Sequence, residues 1–188
     1  MDILTLIDEK EWSAITTLAS VINLKKDELI FRKGERSNKE VFLENGIVRA
    51  FIVDEDGNEK STAFFQQGEF MSTQSLRTLG GVSRYSYQAL CPTKLLFFDS
   101  KQLKDVLSET QKLIALGKNI KERELIRLDN RDDCLMQARA ADRYMKFVTF
   151  YPRLEGQISQ RYIASYLGIT PVSLSRLKKT MIAKTVIN

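Results

Sequence analysis

Val172, Ser173 and Arg176 stand around Leu174 and Leu177 near the carboxyl end of a 188-residue chain. At helical spacing the two leucines turn to one side and the other three residues to the opposite side. The chemistry open to that outward face is recognition. A guanidinium can give paired N–H bonds to guanine O6 and N7, a serine hydroxyl can bond a base or a phosphate, and a valine can touch a thymine methyl. Gln160, Arg161, Lys178 and Lys179 flank these residues and suit phosphate oxygens, which fix register without reading bases. Catalytic chemistry has little to work with. The chain has no histidine, which removes Ser-His-Asp and Cys-His catalysis and any histidine-ligated zinc or haem. Its two cysteines, Cys91 and Cys134, are too few for an iron–sulfur cluster and lack metal-ligand spacing. We read them as buried or idle thiols. Neither paired carboxylates nor a glycine-rich phosphate loop occurs at useful spacing, so the chain is expected to be no enzyme and to hold no metal.

The outward residues need a frame, and residues 159–177 supply one. Two short helices crossing steeply require a small residue at their contact, here Ala164. The turn between them requires positive φ, which Gly168 adopts without penalty. Thr170 is a good N-cap, and Pro171 follows at the first helical position, where its missing N–H costs nothing. Ile163, Leu167, Ile169, Leu174 and Leu177 provide a shared core. Together these offsets spell a helix-turn-helix, whose second helix enters a major groove by its N-terminal end.

Charge agrees with this placement. Residues 1–110 hold 14 Lys/Arg against 17 Asp/Glu, a net of −3, whereas residues 111–188 hold 15 against 7, a net of +8. No acidic residue follows Glu155. A basic carboxyl half points to a polyanion, most often DNA or RNA. No apolar run approaches the roughly 20 residues of a membrane span, and Met1-Asp2-Ile3-Leu4 lacks the features of a secretory signal. A cytoplasmic location is expected.

The rest of the chain divides by pattern. Residues 9–20 carry Trp12, Ile15, Leu18 and Ala19 at helical spacing. Between Glu28 and Asp99 the chain breaks into short apolar runs at 29–31, 41–43, 47–53, 62–65 and 95–98. Gly34, Gly46, Gly57 and Gly68 punctuate them, and Asp54-Glu55-Asp56-Gly57-Asn58 carries a hairpin signal. This pattern predicts an all-β sandwich or roll, a jelly-roll-like β-barrel. Helical periodicity returns from about Leu103. Residues 111–128 read as one helix with Leu113, Leu116 and Ile120 on a face, which suits either a dimer seam or packing on the chain's own barrel. Residues 132–150 read as a second helix, with Leu135, Ala138, Ala141, Met145 and Val148 inward and Pro152 beyond its end.

The order of roll, connecting helix and helix-turn-helix resembles the Crp/Fnr superfamily of transcription regulators over essentially the whole chain. The likeness is carried by Val48-Arg49-Ala50-Phe51, by Gln66-Gln67-Gly68-Glu69-Phe70, by Ala141-Asp142-Arg143-Tyr144, and most specifically by Ile163-Ala164-Ser165-Tyr166-Leu167-Gly168-Ile169-Thr170-Pro171 through Leu174-Ser175-Arg176. It implies an α+β fold, with an effector domain over 1–108, a connecting dimerisation helix over 109–131 and a DNA-binding domain over 132–188. It also implies a homodimer, double-stranded DNA and RNA polymerase as partners, and a small-molecule effector in each roll.

The implied effector pocket falls on Gly68, Glu69, Phe70, Arg84 and Ser86. Members that bind cyclic nucleotides place a Gly-Glu step on the ribose and an Arg-Ser or Arg-Thr pair on the phosphate. Gly68-Glu69 matches the first, but the second stretch reads Ser83-Arg84-Tyr85-Ser86, with Arg84 one residue late on a strand whose side chains alternate faces. A different ligand or none is expected, and no resident cofactor. Pro171-Val172 replaces the base-reading Arg-Glu pair of the cyclic-AMP receptor, so the operator should differ. The stretch after Lys179 is expected to lack most of a β-hairpin wing. The other reading is a ligand-binding or protein-interaction module whose helix-turn-helix is vestigial.

Overall fold

The computed structural model describes residues 6–71 and 80–186, with side chains to Met181. The N-terminal stretch read above for a secretory signal, Met1 to Leu4, lies outside them. Helix α1, Glu9–Thr16, starts at a reciprocal cap: Asp8 Oδ1 accepts from Glu11 N at 2.8 Å and Glu11 Oε2 accepts from Asp8 N at 2.9 Å. It ends four residues short of the expected boundary because Ser20 already opens a strand.

Eight strands follow among the described residues: β1 Ser20–Leu24, β2 Leu29–Phe31, β3 Lys39–Asn45, β4 Ile47–Val53, β5 Glu59–Gln66, β6 Glu69–Met71, β7 Ser86–Ala89 and β8 Thr93–Asp99. They form two four-stranded sheets, ordered β1-β8-β3-β6 and β2-β7-β4-β5. The barrel expected from the sequence is therefore not closed. Closure needs hydrogen bonds between the outermost strands, and β2 and β6, both outermost, are only 3 residues long. The first sheet is packed on both faces. Phe42, Phe70, Leu96 and Phe98 meet Ile7, Ile15 and the helices that follow β8, while Phe97 turns to Phe31 of the other sheet at 5.8 Å. The hairpin signal is realised between β4 and β5: Asp54 Oδ1 accepts from Asp56 N and Asn58 N, and Gly57 has φ 81°.

Five more helices are described: α2 Ser100–Val106, α3 Gln111–Met136, α4 Ala140–Phe150, α5 Gln160–Leu167 and α6 Pro171–Val186. Helix α3 runs for 26 residues, about 39 Å. The single helix expected over 132–150 is split. Its first part continues α3 to Met136, and the chain turns extended at Arg139, with φ −94° and ψ 136°. No glycine or proline marks the break. Arg143 holds it, since its Nε donates to Gln137 O at 2.9 Å. The inward stripe expected for that helix is also corrected: Leu135 and Met145 are exposed, and Cys134, Tyr144 and Phe147 are buried instead. Helix α6 continues past Lys179 to Val186.

Two compact units result. One comprises residues 1–50 and 64–126; the other comprises 51–63, the tip of the β4–β5 hairpin, together with 127–188. The connecting helix read at 109–131 is shared between them. In the second unit the core is aromatic, with Tyr166 tilted against Phe147 at 5.4 Å and edge-on to Tyr151 at 5.8 Å.

Candidate nucleic-acid interface

Helix α5 ends at Gly168, with φ 68° and ψ 34°. Ile169 N donates to Ala164 O at 3.0 Å and Gly168 N to Ser165 O at 3.3 Å. This is the left-handed termination that closes the last carbonyls of a helix, and an L side chain at Gly168 would strain it. Two residues on, Thr170 Oγ1 accepts from Ser173 N at 3.1 Å, and Pro171 begins α6. Three residues therefore join the helices, with the left-handed Gly168 and the capping Thr170 that the sequence specified. Ile163, Ala164, Leu167 and Leu174 are fully buried; Ile169 and Leu177 are half-buried.

The outward face of α6 presents Val172, 59% exposed, with Ser173, Arg176 and Lys179 also exposed. Ser173 Oγ lies 2.9 Å from Thr170 Oγ1. The four residues assigned to phosphates separate into two pairs. Lys179 and Arg161 are exposed, with the Arg161 guanidinium 4.6 Å above the Tyr162 ring. Lys178 is drawn inward: its Nζ lies 2.5 Å from Glu155 Oε1 and 3.5 Å from Gln160 Oε1. Tyr144 Oη donates to the same carboxylate oxygen. Burial alone would raise the Glu155 pKa, but Lys178 and Tyr144 outweigh it and hold the carboxyl below its ordinary value. Burial and that carboxylate push the Tyr144 phenol up. Sequence reading missed this cluster, although Glu155 as the last acid in a basic half was a visible signal.

Arginines brace the frame from behind. Arg143 Nη1 donates to Leu167 O at 2.9 Å, satisfying a carbonyl at the end of α5. Arg131 lies 4.3 Å from the Tyr166 ring centroid and donates to Tyr166 O.

The implied effector residues are placed as follows. Gly68 has φ 85° and its N–H donates to Leu43 O at 2.8 Å. Glu69 Oε2 accepts from Gln66 N at 2.8 Å, bracing its own turn. Phe70 is corrected from pocket to core, since it packs on Phe42 at 5.0 Å within the apolar cluster. Arg84 is exposed at a bend, and Ser86 Oγ accepts from Lys33 N at 3.0 Å. Residues 72–79, between Glu69 and Arg84 in sequence, lie outside the described ones. Sequence reading gave no role to the buried side chain of Arg49, 1% exposed, whose Nε donates to Gln88 Oε1 at 2.8 Å.

Of the two roles open to the α3 stripe, dimer seam or packing on the chain's own sheet, the structure takes the second. Leu113 and Leu116 are 6% and 1% exposed and belong to the chain's own core, with Ile120 packed against it. The large apolar residues that α3 leaves exposed are Leu125, Ile126, Leu128, Leu135 and Met136, at 65%, 52%, 48%, 42% and 84%. Among them Leu125, Leu128 and Leu135, at steps of 3 and 7 residues, keep one side of a helix.

Residues 21–110 match the family model of the cyclic nucleotide-binding domain. No curated protein matches the sequence. Among solved structures the chain is similar to FixK2 from Bradyrhizobium japonicum, at 20% identity and TM-score 0.73, over 89% of this chain and 86% of that one. It is similar to the c-di-GMP-responsive global regulator CLP of Xanthomonas campestris, at 15% identity and TM-score 0.74, over 95% and 93%. A CooA variant from Carboxydothermus hydrogenoformans gives 18% identity and TM-score 0.78, over 98% and 84%. At such identities the likeness is one of fold. Among the described residues no helix is long and apolar enough to cross a membrane.

Proposed function

We propose that this chain, which has the fold of the Crp/Fnr regulators and carries a domain of the cyclic nucleotide-binding family, is a sequence-specific DNA-binding transcription regulator. The observation that carries the reading is the α5–α6 pair: its turn is locally fixed, its inner leucine is buried, and Val172, Ser173 and Arg176 stand exposed on the opposite side. Arg176 reads a guanine, Ser173 and Val172 contact neighbouring positions, and Lys179 and Arg161 contact phosphates. Two copies pair through Leu125, Leu128 and Leu135 of α3, which places two reading helices on inverted half-sites about 34 Å apart. The roll responds to a small molecule, and RNA polymerase is the partner through which binding acts.

Selection from random duplexes tests this. An enriched inverted repeat is expected, with affinity falling steeply as salt rises. Arg176→Ala should cost about 1–3 kcal/mol and relax specificity at one base pair. Absence of any enriched motif from a dimeric sample at low salt refutes the reading. The alternative of a vestigial helix pair draws on one observation, the retention of Lys178 by Glu155; it predicts weak binding with no sequence preference.

A further inference from the structure

We infer that Glu155 is a positioning residue for DNA reading: its carboxylate anchors α6 through Lys178 and so holds the reading face in one orientation on α5. The inference deepens the DNA-reading role proposed for these two helices and rests on it. Glu155 lies between α4 and α5, and α4, α5 and α6 all reach it. Tyr144 of α4 donates from Oη to Glu155 Oε1. Lys178 of α6 brings Nζ to the same oxygen at 2.5 Å and to Gln160 Oε1 of α5 at 3.5 Å. Gln160 Nε2 donates in turn to Glu155 O at 3.5 Å. Tyr144 is buried, and Glu155, Gln160 and Lys178 are half-buried. All four residues belong to one compact unit.

Helix register decides what the lysine can do. Lys178 follows the buried Leu174 by four residues and shares its inward side, whereas Val172, Arg176 and Lys179 face the other way and are exposed. Its charge is thus satisfied within the unit and not by a phosphate. The α5–α6 turn fixes α6 at Pro171, and Lys178 lies two helical turns further on, about 10 Å along the axis. Arg176 stands between these two fixed points. With the turn alone, only the packing of Leu174 and Leu177 opposes a swing of α6, and apolar contact has no preferred direction. The ion pair supplies direction. Base-edge bonds need donor and acceptor aligned, while attraction to phosphates tolerates displacement. A loosened α6 therefore loses sequence preference before it loses affinity for a duplex as such.

The test compares the duplex enriched by the selection above with a random-sequence duplex. Each affinity is referred to the active fraction found by stoichiometric titration, which removes any loss through misfolding. Lys178→Met should lower the ratio of enriched to random affinity by about threefold and leave random-duplex affinity and its salt slope unchanged. Glu155→Gln should lower the ratio at least as far, with the random duplex bound no more weakly. The two changes together should lower it no further than Lys178→Met alone, because the second removes one end of a bond already lost. Lys178→Met that weakens both duplexes equally, with the slope reduced by about 1, makes Lys178 a phosphate contact and overturns the inference alone. An unchanged ratio in either single variant, or losses that add in the double variant, does the same. An unaltered chain that enriches no duplex overturns the DNA-reading role, and the inference with it.

Discussion

Phe98 in the sheet unit and Arg143 in the helical unit are both central, and they act by different physics. Phe98 is 0% exposed and contributes area: it fills the space among Phe70, Leu103 and Leu116, and its share of stability scales with apolar surface removed from water. Arg143 contributes bonds. Its guanidinium serves carbonyls at the end of α5 and in the break before α4, groups that helix termini leave without partners. Burial lowers the pKa of the neighbouring Arg131, with Tyr166 the first of the groups opposing that shift. The sheet unit is thus held by packing that tolerates conservative apolar exchange, whereas the helical unit depends on a few cations in fixed geometry.

The contrast can be broken in order of effect. Phe98→Ala should cost about 4 kcal/mol, read as a lower urea midpoint with α5 and α6 amides keeping their hydrogen-exchange protection. A uniform loss across both units would show that they do not differ as described. Arg143→Met should cost about 2 kcal/mol or more through two orphaned carbonyls, concentrated in residues 137–168. If Arg143→Lys proves as stable as the unaltered chain, forked geometry is irrelevant and the helical unit needs only charge.

Glu155→Gln tests the smallest effect. Freed from its carboxylate, Lys178 becomes available to a phosphate, so non-specific duplex affinity at low salt should rise and the salt slope steepen by about 1. An unchanged slope would mean that Lys178 stays turned inward for other reasons. The same carboxyl gives a pH signature. Its pKa is lower in the folded chain than in the unfolded one, so its contribution is present above the ordinary glutamate pKa and is lost as pH falls through the depressed value. Acid should therefore loosen the helical unit slightly, and a thermal melt series of Glu155→Gln should lack that component.

Much of the candidate site was legible before the structure. Gly168 and Pro171 bias φ through their own covalent geometry and Thr170 caps through its hydroxyl; in the structure Gly168 is left-handed, Thr170 Oγ1 accepts from Ser173 N and Pro171 opens α6. The hairpin at Asp54 to Asn58 was legible for the same reason. Strands β1, β6 and β7 were not. β1 exposes four of its five residues, so it shows no inward periodicity, and β6 has only 3 residues. The role of the α3 stripe was not legible because Leu113 and Leu116 satisfy a helical pattern equally well against a partner or against the chain's own sheet, and the structure takes the second.

By itself the sequence determined the turn between α5 and α6, the outward set of Val172, Ser173 and Arg176, and the basic bias of the carboxyl half. These are local or additive properties, complete once the residue order is known. Only the tertiary structure decided that the helix breaks at 137–139, that Glu155 retains Lys178, and that Ser165 meets Ser61 across 104 residues of chain. The last two join groups distant in sequence and form only when packing brings them together, while the break is held across six residues by Arg143 and Gln137.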